Sequence, residues 1–178
     1  KLIDMNAEKI TSKDFEWADL VLTGGMLPQQ NSILEIIEKS HSFNKKILVE
    51  GPDPSSQPHI YHDADYLFLG ETENTMNLFL KDFELGVPKG IYKSSEKPCM
   101  SESPIPRFDL LNFDNYIMVG IQFCRGCPYN CEFCEVIELF GKVPRLKTPE
   151  QVIKELDTLY QLGYRGHVDF VDDNFIGN

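Results

Sequence analysis

Residues 124–134 read CRGCPYNCEFC and carry four of the five cysteines in a chain of 178 residues. So many thiols so close together admit few explanations. Disulfide frameworks belong to short secreted chains with cysteine spread along them. Here the remaining cysteine, Cys99, is far from the cluster. No charged-then-apolar leader opens the sequence, and no apolar run approaches the roughly 18 residues of a membrane span. The expectation is a cytoplasmic protein with reduced thiols and no transmembrane segment. A zinc ribbon needs two Cys-x-x-Cys pairs separated by roughly 15–20 residues, so that two knuckles face one ion. The pairs Cys124–Cys127 and Cys131–Cys134 have three residues between them. A 4Fe–4S cube suits the stretch better, because its irons take cysteine thiolates from one tight loop. Cys127-x-x-x-Cys131-x-x-Cys134 can hold three irons and leave the fourth without a protein ligand, and open positions mark catalytic metal sites. With Cys124 as a fourth ligand the cluster would be saturated, as in a ferredoxin. Both readings of the loop stand on spacing alone.

The surrounding pattern is that of one βαβ unit. Ile117–Phe123 (IMVGIQF) is a short apolar run, consistent with a buried parallel strand. The cysteine loop follows its carboxyl end, where α/β barrels carry their reactive loops. Thr148-Pro149-Glu150-Gln151 is a capping-box start with proline at the first helical position. Val152, Ile153, Leu156, Leu159 and Tyr160 repeat at helical spacing, and Gly163 ends the helix. His167–Val171 (HVDFV) is the second strand. Asp172-Asp173-Asn174 follows its end. Two adjacent carboxylates there can bind an ammonium, a metal or a hydroxyl, or simply cap a helix and shape a turn. Lys142, Arg145 and Lys147 read as a solvated basic edge, or as an anion clamp centred on Arg145.

The front of the chain alternates strands and helices. Asp19–Thr23, Lys46–Val49 and Tyr66–Leu69 are short apolar runs separated by helical patterns, predicting a parallel sheet with helices on both faces. Such sheets bind ligands beyond the carboxyl ends of their strands. Those ends carry Thr23-Gly24-Gly25, Gly51-Pro52-Asp53 and Gly70-Glu71, whose glycines permit close backbone approach to a ligand or make ordinary tight turns. Lys93–Phe108 is rich in Ser, Pro, Lys and Glu, a linker composition. The predicted division is a first domain over 1–92, a linker over 93–116 and a second domain over 117–178. Phe108, Leu110, Leu111 and Phe113 are expected to pack between the domains.

The Cys-x-x-x-Cys-x-x-Cys motif with Phe133 before its last cysteine resembles the cluster motif of the radical S-adenosylmethionine superfamily. RGCP-x-x-C-x-F-C is similar to its cobalamin-binding branch. The resemblance implies that Cys127, Cys131 and Cys134 hold a 4Fe–4S cluster, that S-adenosylmethionine chelates the open iron, and that Phe133 lies near the adenine. That branch usually has a small residue where Cys124 stands, which makes Cys124 a non-ligand. FVDDNFIGN is similar to the branch's second strand end, which implies that Asp172 or Asp173 contacts the cofactor's amino group. WADLVLTGGM, ILVEGPDP and YLFLGETE look like the second half of a cobalamin-binding Rossmann-like domain, with Thr23, Gly24, Gly25, Gly51, Gly70 and Glu71 at its ligand face. Glu50 stands where the family commonly has glycine, and the Asp-x-His-x-x-Gly loop is absent. Lys1–Asp4 is then the domain's second strand. The implied fold class is α/β: a partial Rossmann-like parallel sheet, then the first βαβ unit of a partial radical S-adenosylmethionine barrel. A whole barrel needs roughly 200 residues or more, so the chain resembles an internal piece of a larger protein.

Within that branch, CEFCEVIELFGKVPRLKTPEQV and GHVDFVDDNFIGN are most similar to proteins grouped with the hopanoid C-2 methylases. This implies a methyltransferase acting on an unactivated carbon of a small or lipid-like substrate, with an external electron donor of the flavodoxin or ferredoxin kind. The charge balance, 28 acidic against 17 basic residues and −11 net, argues against a nucleic-acid partner. Two other classes remain: a ferredoxin-like electron carrier using Cys124, and a non-catalytic corrinoid-binding module.

Overall fold

The computed structural model describes residues 1–176. The chain divides into two compact units, Thr11–Pro98 and Lys1–Ile10 together with the chain from Cys99 onward.

In the first unit four strands, β1 (Leu20–Gly24), β2 (Lys46–Glu50), β3 (Tyr66–Leu69) and β4 (Ile91–Lys93), form a parallel sheet in the order β1-β2-β3-β4. Between them run α2 (Gln30–Ser42), α3 (Pro52–Ser56) and α4 (Glu73–Glu84), and a short α1 (Ser12–Trp17) precedes β1. The register pairs Leu22 with Leu48, Leu48 with Tyr66 and Phe68 with Tyr92. Side chains alternate along a strand, so Leu48, Tyr66, Phe68 and Tyr92 share one face. Phe79 of α4 packs there, with Leu20 and Met76 at the margin. Consecutive Ile47, Leu48 and Val49 are all buried, so both faces of β2 are covered, as a parallel strand requires. Helix α2 buries Ile33, Ile36 and Ile37 and packs on β1 and β2.

The second unit is built on β5 (Met118–Ile121) and β8 (His167–Phe170), a parallel pair with α6 (Pro149–Gln161) between them in sequence. The α6 start is the expected capping box. The Thr148 hydroxyl accepts from the Gln151 amide at 3.2 Å, and Gln151 Oε1 accepts from the Thr148 amide at 2.8 Å. Leu159 of α6 and Tyr164 pack against Val119, Ile121 and Phe108. A second, antiparallel pair, β6 (Cys124–Arg125) with β7 (Arg145–Leu146), brackets the cysteine loop and the short α5 (Val136–Phe140).

Three expectations are corrected. Residues 1–4 form no strand and belong to the second unit, where Tyr116 donates its hydroxyl proton to Asp4 at 2.9 Å. Residues 93–116 are no open linker throughout: they contain short 3-10 turns, and Phe108 is 5 % exposed. Phe108, Leu111 and Phe113 complete the core of their own unit, because that two-stranded sheet has too little apolar surface without them. Leu110 is exposed.

Candidate functional site

The cysteine loop leaves β5 at its carboxyl end and is held from two sides. Gly126 has φ +94°, and a Cβ there would lie 3.0 Å from the carbonyl oxygens of Gly141 and Val143. Glycine fits both the conformation and the close approach. The next residue, Cys127, donates its amide to the Gly141 carbonyl at 3.2 Å. On the other side stands the chain after β8. Asp172 Oδ1 accepts from the amides of Phe123, at 2.8 Å, and Cys124. Asp173 Oδ2 accepts from the Gly126 amide at 2.7 Å. Asn174 Nδ2 donates to Cys127 Sγ at 3.5 Å. Phe175 packs its ring on Phe123 and Phe170. Gly177 and Asn178, which end the FVDDNFIGN stretch, lie outside the described residues.

The four cysteines are not equivalent. Cys124 is 0 % exposed, lies in β6, and its thiol donates to the Gly126 carbonyl at 3.8 Å. Cys131 is exposed, and Cys127 and Cys134 are half-buried. Among the described residues no three His, Cys, Asp or Glu side chains converge tightly enough to hold one metal ion. A cube bound through three irons takes one thiolate per iron rather than three on a single ion. Thiols spread along eight residues of one loop are a donor set that fits it. Phe133 is 91 % exposed, so its ring has no part in the core. Asp172 Oδ2 is buried and without a hydrogen-bond partner among the described residues. A buried carboxylate oxygen left in that state is costly, and a cationic donor would satisfy it.

The basic segment reads differently in space. Lys147 is no solvated edge: its ammonium meets Glu155 at 2.6 Å, with the two side chains 6 % and 2 % exposed. Its backbone amide also donates to Phe123 O at 2.9 Å. Arg145 donates to Phe140 O at 3.0 Å. Sequence reasoning missed Gly126, Asn174 and this ion pair. The glycine just before the first cysteine of the triplet was the one local signal available.

In the first unit, Thr23, Gly24, Gly25, Gly51, Gly70 and Glu71 do gather at the carboxyl end of the sheet. Gly51 has φ +112°, and a Cβ there would lie 2.8 Å from Gly25 O. The two loops therefore touch backbone to backbone. The Ser55 hydroxyl joins them to the next strand, donating to Gly51 O at 2.7 Å and accepting from Gly70 N at 2.8 Å. Among the described residues, no atom beyond its two chain neighbours lies within 4 Å of the position a Gly70 Cβ would take, and Met26 and Leu27 stand exposed after β1. Glu71 is buried, with Lys97 at 3.7 Å. Burial, reinforced by the neighbouring Glu73 carboxylate, pushes the Glu50 carboxyl up. Asp53 is buried too. Burial would raise its carboxyl, but hydrogen bonds from Tyr61, Gln30 and Gln57 outweigh that and hold it below the usual range.

No protein-family model matches the chain. Over its whole length it is 44 % identical to an uncharacterized methyltransferase of Synechocystis sp. and 38 % identical to the hopanoid C-2 methylase of Rhodopseudomonas palustris. It covers 34 % of each, so the chain spans about a third of the length of these curated relatives. Its fold matches the radical S-adenosylmethionine methyltransferase TsrM of Kitasatospora setae, with a TM-score of 0.70 at 17 % identity, over 90 % of this chain and 38 % of that one. Among the described residues no helix is long and apolar enough to cross a membrane. The chain is thus similar along its whole length to about a third of each of two proteins named as methylating enzymes, and it shares its fold with part of a third.

Proposed function

We propose that the chain supplies the cluster loop and part of the cobalamin platform of a cobalamin-dependent radical S-adenosylmethionine methyltransferase. Its target is an unactivated carbon of a small or lipid-like substrate. The observation that carries this reading is the division of the cysteines. One exposed thiol, Cys131, and two half-buried ones, Cys127 and Cys134, stand on the loop, while Cys124 is sealed in β6. Three protein ligands leave one iron open for a substrate-like ligand, whereas an electron carrier needs a fourth.

Each remaining residue then has a task. Asp172 Oδ1 holds the loop, and its unpartnered Oδ2 receives the ammonium of S-adenosylmethionine. Asp173 anchors Gly126. Phe133 offers its exposed ring to the adenine. At the sheet end, Gly70 and the exposed Met26 and Leu27 give a flat macrocycle an uncluttered, apolar edge. When bound, the cluster and S-adenosylmethionine supply hydrogen abstraction from carbon, and methylcobalamin supplies the methyl group. The electron comes from an external flavodoxin- or ferredoxin-like donor in a reducing, cytoplasmic compartment. The name hopanoid C-2 methylase of the 38 % identical relative supports a lipid-like substrate, and the net charge of −11 disfavours nucleic acid.

The test uses the full-length protein, reconstituted without oxygen from iron and sulfide and given S-adenosylmethionine and a reductant. Formation of 5′-deoxyadenosine is expected in wild type and in Cys124→Ala, and its loss in Cys127→Ala, Cys131→Ala and Cys134→Ala. Loss in Cys124→Ala with the cluster gone contradicts the assignment. Co-purifying corrinoid absorbance tests the cobalamin part separately.

A further inference from the structure

We propose that Asn174 is a positioning residue that raises the reduction potential of the cluster by hydrogen bonding to Cys127. The inference rests on the iron–sulfur reading above and adds a role that no cysteine supplies. Asn174 Nδ2 lies 3.5 Å from Cys127 Sγ. The bond is one rung of an ordered ladder: Asp172 reaches the amides of 123 and 124, Asp173 that of 126, and Asn174 the sulfur of 127. Three consecutive residues thus engage the cysteine strand in ascending order. Phe175, stacked on Phe123 and Phe170, anchors the far end. The residues on either side of Asn174 are thus tied by their side chains to the loop and to β8.

The electrostatic consequence has a definite sign. Reduction adds negative charge to the cluster, and part of that charge resides on the ligating sulfurs. An N–H aimed at Cys127 Sγ stabilises the reduced form more than the oxidised one. Hydrogen bonds to sulfur and outer-shell partners set cluster potentials in this way. Asn174 therefore makes the cluster easier to reduce by its external donor. The same ladder couples the potential to the end of β8, where Asp172 Oδ2 faces the proposed ammonium.

The test is an EPR-monitored redox titration of the reconstituted full-length protein, with iron content measured on each sample. Asn174→Leu is expected to keep its iron and to shift the midpoint negative, by about 59 mV if the reduction equilibrium falls tenfold. Asn174→Asp, which keeps the shape and removes the donor, shifts it the same way or further. Asn174→Gln recovers part of the shift. Midpoints equal to wild type in the Leu and Asp variants, at full iron, overturn the inference and leave the functional reading intact. Iron loss in the Leu variant passes the decision to the Asp variant, and loss in both overturns the tuning role in favour of a purely structural one. A wild-type protein that binds no cluster refutes the functional reading itself.

Discussion

The buried pair Lys147–Glu155 ties α6 to the residue that follows β7, after the cysteine loop, and its energetics can be worked from the geometry. The ammonium and carboxylate are 2.6 Å apart, and the side chains are 6 % and 2 % exposed. Glu155 Oε2 has no hydrogen-bond partner among the described residues. Lys147→Met removes the cation that compensates a nearly dry carboxylate. Breaking one side of such a pair costs about 3–5 kcal/mol, whereas replacing both partners by apolar side chains is neutral or stabilising by about 1–4 kcal/mol. The double variant Lys147→Met/Glu155→Leu should therefore recover all of the loss. Urea unfolding followed by far-UV circular dichroism measures both, at low salt and at about 1 M salt, where surface pairs are screened and buried ones much less so. A single-variant cost below about 1 kcal/mol, the range of exposed pairs, refutes the burial argument. So does a double variant less stable than the single one.

Three further outcomes follow from the same reasoning. Asp172→Ala leaves the amides of Phe123 and Cys124 without their acceptor, at about 1–3 kcal/mol each if they stay dry; faster hydrogen exchange at these two amides, and less so in Asp172→Asn, is the readout. Gly51→Ala forces a side chain into φ +112° and to within 2.8 Å of Gly25 O, and should destabilise by about 1–3 kcal/mol, read as a fall in thermal midpoint. Glu50→Gln should stabilise at pH 7. The folded state raises the Glu50 carboxyl, so its ionisation opposes folding above the folded-state value, and that opposition disappears below the ordinary carboxylate range. The stabilisation measured by denaturation at pH 7 should therefore vanish as the pH falls below about 4.

Much of this architecture was legible in local pattern. The α6 start was readable because a capping box is a contact between residues three apart, Thr148 and Gln151. The strands β2, β3 and β5 were readable because apolar runs of four or five residues bounded by turn signals have few other uses. The division of Cys124 from the other three cysteines came from the resemblance and not from spacing; in the structure Cys124 is the buried one of the four. What stayed hidden depends on partners distant in sequence or on elements too short to show a period. The pair β6–β7 has two residues per strand. Lys147 looked like one of three solvated cations because its partner Glu155 lies on the next helix. The aspartates were read as cofactor contacts, yet each spends an oxygen on loop amides 47 to 49 residues away. Lys1–Asp4 looked like a strand of the first sheet, but its Asp4 bonds Tyr116, 112 residues on.

The central claim is that three cysteines, not four, hold the cluster and leave one iron open. It is tested most directly by the EPR spectrum of the reduced, reconstituted full-length protein, recorded with and without S-adenosylmethionine for wild type and Cys124→Ala. The account predicts a spectrum that changes when S-adenosylmethionine is added, and a change that persists in Cys124→Ala. An unchanged spectrum, with the cluster lost when Cys124 is removed, would mean four protein ligands and would contradict it.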